Sequence, residues 1–210
     1  LGFDIDVERV QHFNGGRSQI KHIASDDIAK AVATGRFSAT SDFDRLGEPD
    51  AILIAVPTPL TRHREPDLSY VEKTAISIQT RLRRGQLIVL ESTTWPGTTR
   101  EVIKPILERT GLKSGVDFFL AFSPEREDPG NELFGTSTIP KVVGGEGEHA
   151  VALANAVYSG CVQRTVPVSS TATAEAVKLT ENIFRSVNIA LVNELKVIYS
   201  AMGIDVWEVI

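Results

Sequence analysis

A lysine and an asparagine four residues apart are the first candidates for chemistry in this sequence. Lys178 and Asn182 occur in the stretch "AEAVKLTEN", whose pattern predicts a helix. Their spacing places both side chains on one helical face, with Glu175 one turn earlier near the positive end of the helix dipole. The lysine could stabilise a developing oxyanion, and the asparagine could donate to the same oxygen. The alternative is an exposed polar stripe.

A hydroxyl and a carboxylate follow two other predicted strands. Thr93 lies in "ESTTWPGTT", and Glu125 lies in "FSPERED". If these two loops share one edge of a sheet, the two side chains could orient a water molecule or move a proton. The alternative explanation is turn formation around Pro96, Gly97 and Pro124.

The stretch "LGFDID" at the start predicts a short buried strand, Leu1 to Phe3, that ends at Asp4. In dinucleotide-binding folds an acid that follows the second strand binds the ribose hydroxyls and repels a 2′-phosphate, so Asp4 favours NAD over NADP. Arg9 could reach a phosphate. The alternatives are a helix N-cap for Asp4 and a solvated surface position for Arg9. In that fold a glycine-rich loop precedes the acid, so we expect one βα unit before Leu1.

The elements that position these residues alternate along the chain. Continuous apolar runs predict strands that are buried on both faces, and helical periodicity follows them. Such alternation predicts an α/β fold, a Rossmann-like doubly wound parallel sheet, whose ligands bind beyond the carboxyl ends of the strands. The unusual loops follow Asp4, Val56, Glu91 and Phe122, all at that edge. The further predicted strands are 50–56, 86–90, 117–122, 141–143 and 162–166, and the predicted helices are 68–84, 98–111 and 146–158.

A long helix is predicted from Thr171, because no helix breaker occurs before Gly203. About 30 residues at about 1.5 Å each give a rod of roughly 45 Å, much longer than the usual helix. Its broad apolar stripe requires a cover, either a second domain or a second copy of the chain. A boundary at residue 170 therefore separates an α/β domain, residues 1–170, from the segment that the long helix begins, residues 171–210, which could bridge two domains, pair with a second copy, or do both.

The composition excludes several classes of protein. The net charge of −5 over 210 residues gives no reason to expect nucleic acid or an anionic membrane as partner. The longest apolar run, Ala51 to Val56, is far too short to span a bilayer. The single cysteine, Cys161, rules out an internal disulfide and fits a reducing compartment, so we expect a cytoplasmic protein. No metal-ligand spacing occurs, and we interpret Cys161 as structural.

Taken together, six stretches resemble the UDP-sugar 6-dehydrogenase family, that is, the UDP-glucose/GDP-mannose dehydrogenases. They are "GFDID", "AVPTPL", "ESTTWPGTT", "FSPEREDPG", "KVVGG" and the segment from "AEAVKLTENIF" to the last residue. They occur in the family's order over nearly the whole chain. The stretches "TPL" and "STTWPGTT" are more similar to the branch that oxidises UDP-N-acetylhexosamines than to the UDP-glucose branch.

The resemblance implies NAD-dependent oxidation of the sugar C6 alcohol to a carboxylate, for the synthesis of cell-surface polysaccharide precursors. In the family two hydrides leave in turn, a cysteine captures the intermediate aldehyde, and the thioester is hydrolysed. The resemblance also implies that residues 1–170 are an NAD-binding Rossmann-like domain and that residues 171–210 begin a central helical dimerisation domain, with a homodimer formed through the long helix. The residues matched to the cofactor are Asp4, Arg9, Pro57, Thr58 and Thr93; those matched to catalysis are Thr93, Glu125, Lys178 and Asn182; and those matched to the UDP-sugar are Glu125, Arg126, Glu127, Lys178 and Asn182.

The sequence also departs from this family pattern. The glycine-rich phosphate loop would precede Leu1, and the nucleophilic cysteine would lie well after the long helix, where Cys161 does not match it. We therefore expect a βα unit before this stretch, a UDP-binding domain after it, and no full reaction from these 210 residues alone. The alternatives are a UDP-glucose 6-dehydrogenase and a non-catalytic module that dimerises through the long helix.

Overall fold

The computed structural model describes residues 1–20, 23–125 and 138–209, which form strands and helices in alternation. The strands are β1 (Gly2–Phe3), β2 (Ala39–Thr40), β3 (Ala51–Ile54), β4 (Leu87–Leu90), β5 (Phe119–Phe122), β6 (Lys141–Gly145) and β7 (Thr165–Val168). The helices are α1 (Val7–Asn14), α2 (Ser25–Ala33), α3 (Ser69–Gln79), α4 (Lys104–Glu108), α5 (Glu148–Ser159) and α6 (Thr171–Ala201). Short 3₁₀ segments cover Phe43–Gly47 and Val206–Glu208, and a π-helical turn, Thr99–Ile103, leads directly into α4.

The main sheet has the strand order β3-β4-β5-β6-β7. Strands β3, β4 and β5 are parallel, as the sequence predicts. Strand β6 is antiparallel to β5, and β7 is parallel to β6, so the direction of the sheet reverses at β6. The α/β fold class with a mainly parallel sheet is confirmed, and the reversed direction of β6 is the feature that the sequence did not predict. Apolar periodicity sets which faces of a strand are buried and carries no signal for its direction.

Helices cover both faces of this sheet. Strand β4 is buried at all four positions, and its side chains alternate between two cores. Ile88 and Leu90 pack in the core that includes residues of α3, α4 and α6, whereas Leu87 and Val89 pack with Tyr158 and other residues of α5. This three-layer packing explains why the strand is a continuous apolar run.

Strands β1 and β2 form a small parallel sheet, in which Gly2 faces Ala39. Asn14, at the end of α1, fixes this pair: its amide donates to the Ala39 carbonyl at 2.9 Å and accepts from the Ala39 N–H at 2.8 Å. Phe3 packs against the main core. Within the described residues no strand joins β1 to the main sheet. Residues 17–49, which include α2 and β2, have no element predicted from the sequence.

Several predicted bounds are corrected by the structure. The helix expected to reach Arg84 ends at Gln79, and the backbone N–H of Arg83 donates to Gln86 Oε1 at 2.9 Å instead of to a helical carbonyl. The strand expected to end at Val143 continues through Gly145. The last strand begins at Thr165, later than expected, and includes Pro167, which an edge strand tolerates.

The long helix α6 spans 31 residues, as the sequence predicts. Ser170 caps it by accepting a hydrogen bond from the Thr173 N–H. Only its first turns pack on the sheet; further along, apolar side chains are exposed, with Phe184 70% exposed. No helix in the described part of the chain is long and apolar enough to cross a membrane.

Gly144 lets the start of α6 approach the sheet closely. A Cβ at this position would come within 2.9 Å of the Ala174 Cβ and would overlap the Ser170 carbonyl oxygen. We expect Gly144→Ala to destabilise the fold by about 3 kcal/mol through overpacking, and therefore to lower the melting temperature. Gly160→Ala is the control, because its new Cβ would meet only the Val157 oxygen at 3.6 Å. Equal melting temperatures for the two variants would contradict this explanation.

Candidate active site

The carboxyl edge of the parallel strands brings Thr93 and Glu125 to neighbouring positions. Leu90 of β4 faces Phe122 of β5, and each candidate is the third residue after its paired strand residue. Thr93 is exposed and Glu125 is half-buried. The two loops therefore share one rim, as the sequence analysis required.

The loop after β3 reaches the same rim. The Ser92 hydroxyl donates to the Val56 carbonyl at 2.7 Å, which ties this loop to the one that carries Thr93. Pro57, which is exposed, and Thr58, which is half-buried, follow at once. The structure thus places these two cofactor candidates beside the predicted rim, and their role stays a prediction.

Lys178 extends from α6 toward this rim. Its Nζ donates a hydrogen bond to the backbone carbonyl of Glu125 at 2.5 Å. Asn182 lies one turn further along α6, and both side chains are half-buried. The helix therefore presents the predicted oxyanion-stabilising side to the strand ends, and an exposed polar stripe does not describe Lys178. The catalytic roles themselves stay predictions.

A buried carboxylate fixes the helix against the Thr93 loop. Glu175 is fully buried and accepts hydrogen bonds from the Gly97 N–H at 2.5 Å, the Thr99 N–H at 2.8 Å and the Thr99 hydroxyl at 2.6 Å. Burial raises the pKa of the Glu175 carboxyl above its ordinary value of 4.5, and the hydrogen bonds from Thr99 and Gly97 oppose that rise. The helical segment after this loop has no side-chain cap of its own, and the Glu175 carboxylate from α6 binds the Gly97 and Thr99 N–H groups instead.

A chain of charged groups that was not predicted from the sequence extends from Glu125 into the interior. Lys141 Nζ lies 3.1 Å from Glu125 Oε2 and 2.9 Å from Glu91 Oε1. The Tyr158 hydroxyl donates to Glu91 Oε1 at 2.6 Å. Burial, followed by the nearby Glu91 charge, raises the pKa of the Tyr158 hydroxyl. The available signal was a lysine at the start of a buried strand, a residue type that is almost never buried unless paired.

Asp4 directly follows β1 and is held in place by its neighbours. Its Oδ1 accepts from the Asp6 N–H at 2.9 Å, and its Oδ2 pairs with Arg9 Nη1 at 3.0 Å. The cap of α1 is Asp6, which accepts from the Glu8 and Arg9 N–H groups, so the alternative of Asp4 as the N-cap is wrong. Each oxygen of the Asp4 carboxylate retains a lone pair, which fits a pair of ribose hydroxyls.

The remaining candidates give little geometry. Arg126 and Glu127 lie outside the described residues. Cys161 is exposed, with its sulfur 3.9 Å from the Val157 carbonyl oxygen. Within the described residues, no group of three or more histidine, cysteine or acidic side chains is arranged to hold a metal ion.

Comparison with known proteins defines the class of protein to which this site belongs. Residues 1–162 match the NAD binding domain of the UDP-glucose/GDP-mannose dehydrogenase family, and residues 172–210 match the central domain of the same family. The chain therefore belongs to the UDP-glucose/GDP-mannose dehydrogenase family, which confirms the resemblance found in the sequence.

Individual relatives of this family include UDP-N-acetylhexosamine dehydrogenases and a GDP-mannose dehydrogenase. The chain is 36% identical to a UDP-N-acetyl-D-glucosamine 6-dehydrogenase of Pseudomonas aeruginosa, over 98% of this chain and 48% of that protein. A solved structure of a UDP-D-ManNAc dehydrogenase from Pyrococcus horikoshii superposes with a TM-score of 0.92 at 36% identity, over 100% of this chain and 50% of that one. A solved structure of a GDP-mannose dehydrogenase from Pseudomonas aeruginosa superposes with a TM-score of 0.92 at 27% identity, over 99% of this chain and 49% of that one. The chain spans about half the length of the curated relatives it matches.

Replacement of Glu175 tests the link between α6 and the Thr93 loop. In Glu175→Gln one amide N–H₂ would face a backbone N–H, so a buried donor loses its partner, at a cost of about 1–3 kcal/mol. Because the folded-state pKa of Glu175 is raised, its protonation adds stability at low pH, and that contribution is lost as the pH rises above about 4.5 through the folded pKa. The stability difference between wild type and Glu175→Gln should therefore be larger at acidic than at neutral pH.

Melting temperatures of wild type and Glu175→Gln, measured from acidic to neutral pH, check the prediction. Glu194→Gln is the matched control, because Glu194 lies on the same helix and is exposed. A pH-independent difference between wild type and Glu175→Gln would contradict the assignment of the titrating group.

Proposed function

We propose that this chain is the cofactor-binding half of an NAD-dependent enzyme that oxidises the C6 alcohol of a UDP-N-acetylhexosamine to a uronic acid. The observation that carries the proposal is the 2.5 Å hydrogen bond from Lys178 Nζ to the Glu125 carbonyl, which joins the long helix to the rim of the sheet. The names of the relatives, a UDP-N-acetyl-D-glucosamine 6-dehydrogenase and a UDP-N-acetyl-D-mannosamine dehydrogenase, support the substrate class. The product would serve as a precursor of cell-surface polysaccharides.

The cofactor would lie along the rim of the strands. Asp4 would accept hydrogen bonds from the adenosine ribose hydroxyls, with its carboxylate oriented by Arg9 and the Asp6 N–H. Pro57, Thr58 and Thr93 would line the same rim. NAD, when bound, supplies the acceptor for the hydride that leaves C6. The match of residues 1–162 to an NAD binding domain supports this choice of cofactor.

The side chains at the rim would stabilise charge and move protons. The Lys178 ammonium and the Asn182 amide would donate hydrogen bonds to the C6 oxygen as negative charge develops on it. Thr93 and Glu125 would hold a water molecule that takes the proton of the alcohol. The same water position would serve the later hydrolysis of the thioester that forms with the family's cysteine. Arg126 and Glu127, from the next residues of the loop, would contact the UDP-sugar.

The exposed apolar side of α6 supports assembly with a second copy of the chain. Phe184, Val187 and Leu191 lie on this helix with large exposed surfaces, which a helix of a monomer would rarely leave uncovered. We place the boundary between the cofactor domain and the central dimerisation domain at residues 170 and 171, and the homodimer forms through α6. The single cysteine fits the reducing cytoplasm.

A substrate and cofactor panel on the full-length protein, followed by NADH formation, tests the proposal. We expect UDP-N-acetylhexosamines to be oxidised with a higher kcat/KM than UDP-glucose. We also expect NAD to be preferred over NADP by at least about tenfold, which a repulsion of about 1.4 kcal/mol between Asp4 and a 2′-phosphate would produce. Asp4→Asn should weaken that preference, whereas Asp6→Asn, at the helix cap, should leave it intact. Equal use of both cofactors by the wild type would count against the role of Asp4.

Truncation of the helix lysine tests the oxyanion role. Lys178→Ala should lower kcat by about 10²–10³-fold, the usual cost of losing one donor to a developing oxyanion. The affinity for NAD, measured by calorimetric titration, should stay close to that of the wild type, because Lys178 lies at the Glu125 side of the rim. Lys196→Ala, at an exposed position of the same helix, is the control. Unchanged turnover in Lys178→Ala would remove this residue from the mechanism.

A further inference from the structure

We propose that Lys141 is a positioning residue. From a fixed, buried position below the rim of the sheet, its ammonium group holds the Glu125 carboxylate in place. This inference rests on the proposed function, in which Glu125 orients the water molecule. Lys141 itself lies beneath the edge, with a side chain that is only 7% exposed, while the Glu125 side chain is 43% exposed. The lysine therefore acts through Glu125 rather than on the substrate.

The reversed strand β6 creates this contact. In the antiparallel pairing of β5 with β6, Phe122 faces Gly144. Continuing the same register, the third residue after Phe122 falls opposite the third residue before Gly144, so Glu125 faces Lys141. A parallel β6 would begin at the other edge of the sheet, with Lys141 remote from the carboxyl ends of β4 and β5. The one change of direction in the main sheet thus brings a cation to the candidate site.

Three groups fix the position of the lysine nitrogen. Nζ lies 2.9 Å from Glu91 Oε1, 3.1 Å from Glu125 Oε2 and 5.0 Å from the centre of the Tyr158 ring. Glu91, only 12% exposed, is held in turn by the Tyr158 hydroxyl. Burying an ammonium group costs desolvation energy unless the group is paired, and the Glu91 carboxylate offsets part of that cost for Lys141. Glu91 anchors Lys141, which leaves the lysine with a fixed direction toward Glu125.

The backbone of Glu125 is fixed independently of its side chain. Lys178 Nζ donates to the Glu125 carbonyl at 2.5 Å, whereas Lys141 binds the carboxylate. Together the two lysines fix both ends of this residue. Misplacement of a reacting group by about 1 Å can cost about 10²-fold in rate, so fixing the carboxylate has a measurable effect on turnover.

The competing explanation is that Lys141 only neutralises the buried charge of Glu91. The double variant Lys141→Met/Glu91→Gln separates the two explanations, because it removes the lysine without leaving Glu91 as an unpaired buried charge. If Lys141 positions Glu125, the double variant should melt near the wild-type temperature but show a kcat that is lower by about 10–100-fold, with little change in KM. Wild-type kcat in a folded double variant would overturn the proposal.

Two further variants sharpen the comparison. Lys141→Arg keeps the charge and should recover part of the lost kcat. The matched control is Lys104→Met/Glu146→Gln, which removes another lysine–carboxylate pair, with N and O 2.5 Å apart, at the opposite edge of the sheet. This control should keep the wild-type kcat. A loss of kcat in the control equal to that of Lys141→Met/Glu91→Gln would overturn the positioning role.

A mutant cycle with Glu125→Gln distinguishes this inference from the proposed function. If Lys141 acts through Glu125, adding Lys141→Met/Glu91→Gln to Glu125→Gln should cause little further loss of kcat. Fully additive losses would overturn the inference while leaving Glu125 in the mechanism. A wild-type kcat in Glu125→Gln alone would overturn the proposed role of Glu125, and with it the positioning role.

Discussion

The carboxylate of Glu175 is the contact on which the geometry of this site depends. It is fully buried and accepts three hydrogen bonds from Gly97 and Thr99, at the start of the π-helical turn that leads into α4. Helix α6 can therefore neither slide nor rotate without leaving buried N–H groups unpaired, which is costly. Because Lys178 is three residues further on the same helix, the contact that fixes the Thr93 loop also sets the direction of the lysine.

A second network of charged groups extends from the rim of the sheet into the interior. The carboxylates of Glu91 and Glu125 share the ammonium of Lys141. Buried ion pairs contribute little net stability, because desolvation offsets much of their attraction. Their contribution here is directional: an apolar core could fill the same space but could not orient a carboxylate at the edge. This arrangement requires β6 to run against β5, so the chemistry and the topology of the sheet are linked.

The long helix connects two different environments. Its first turns are buried against the sheet, where Thr171, Ala174 and Glu175 are in contact with the domain core. Beyond Asn182 most of its apolar side chains are exposed, including Phe184 and Val187. One continuous helix of 31 residues spans both environments.

The sequence by itself determined the features that depend on local periodicity. Buried strands recur with helices between them, α6 lacks a breaker over its full length, and Asp4 follows a short strand. The spacing of Lys178 and Asn182 also fixed that they share a face of one helix. Six sequence stretches were enough to identify the family, which the comparison confirmed.

Only the tertiary structure decided which distant residues meet. The capping of Thr99 by Glu175 joins positions 76 residues apart, and the pair of Glu91 with Tyr158 joins positions 67 apart. Neither contact leaves a trace in the spacing of nearby residues. The direction of β6, and with it the place of Lys141, was equally hidden, because side-chain alternation is the same in parallel and antiparallel strands. Local patterns define the elements, whereas long-range packing and the pairing of buried polar groups define the site.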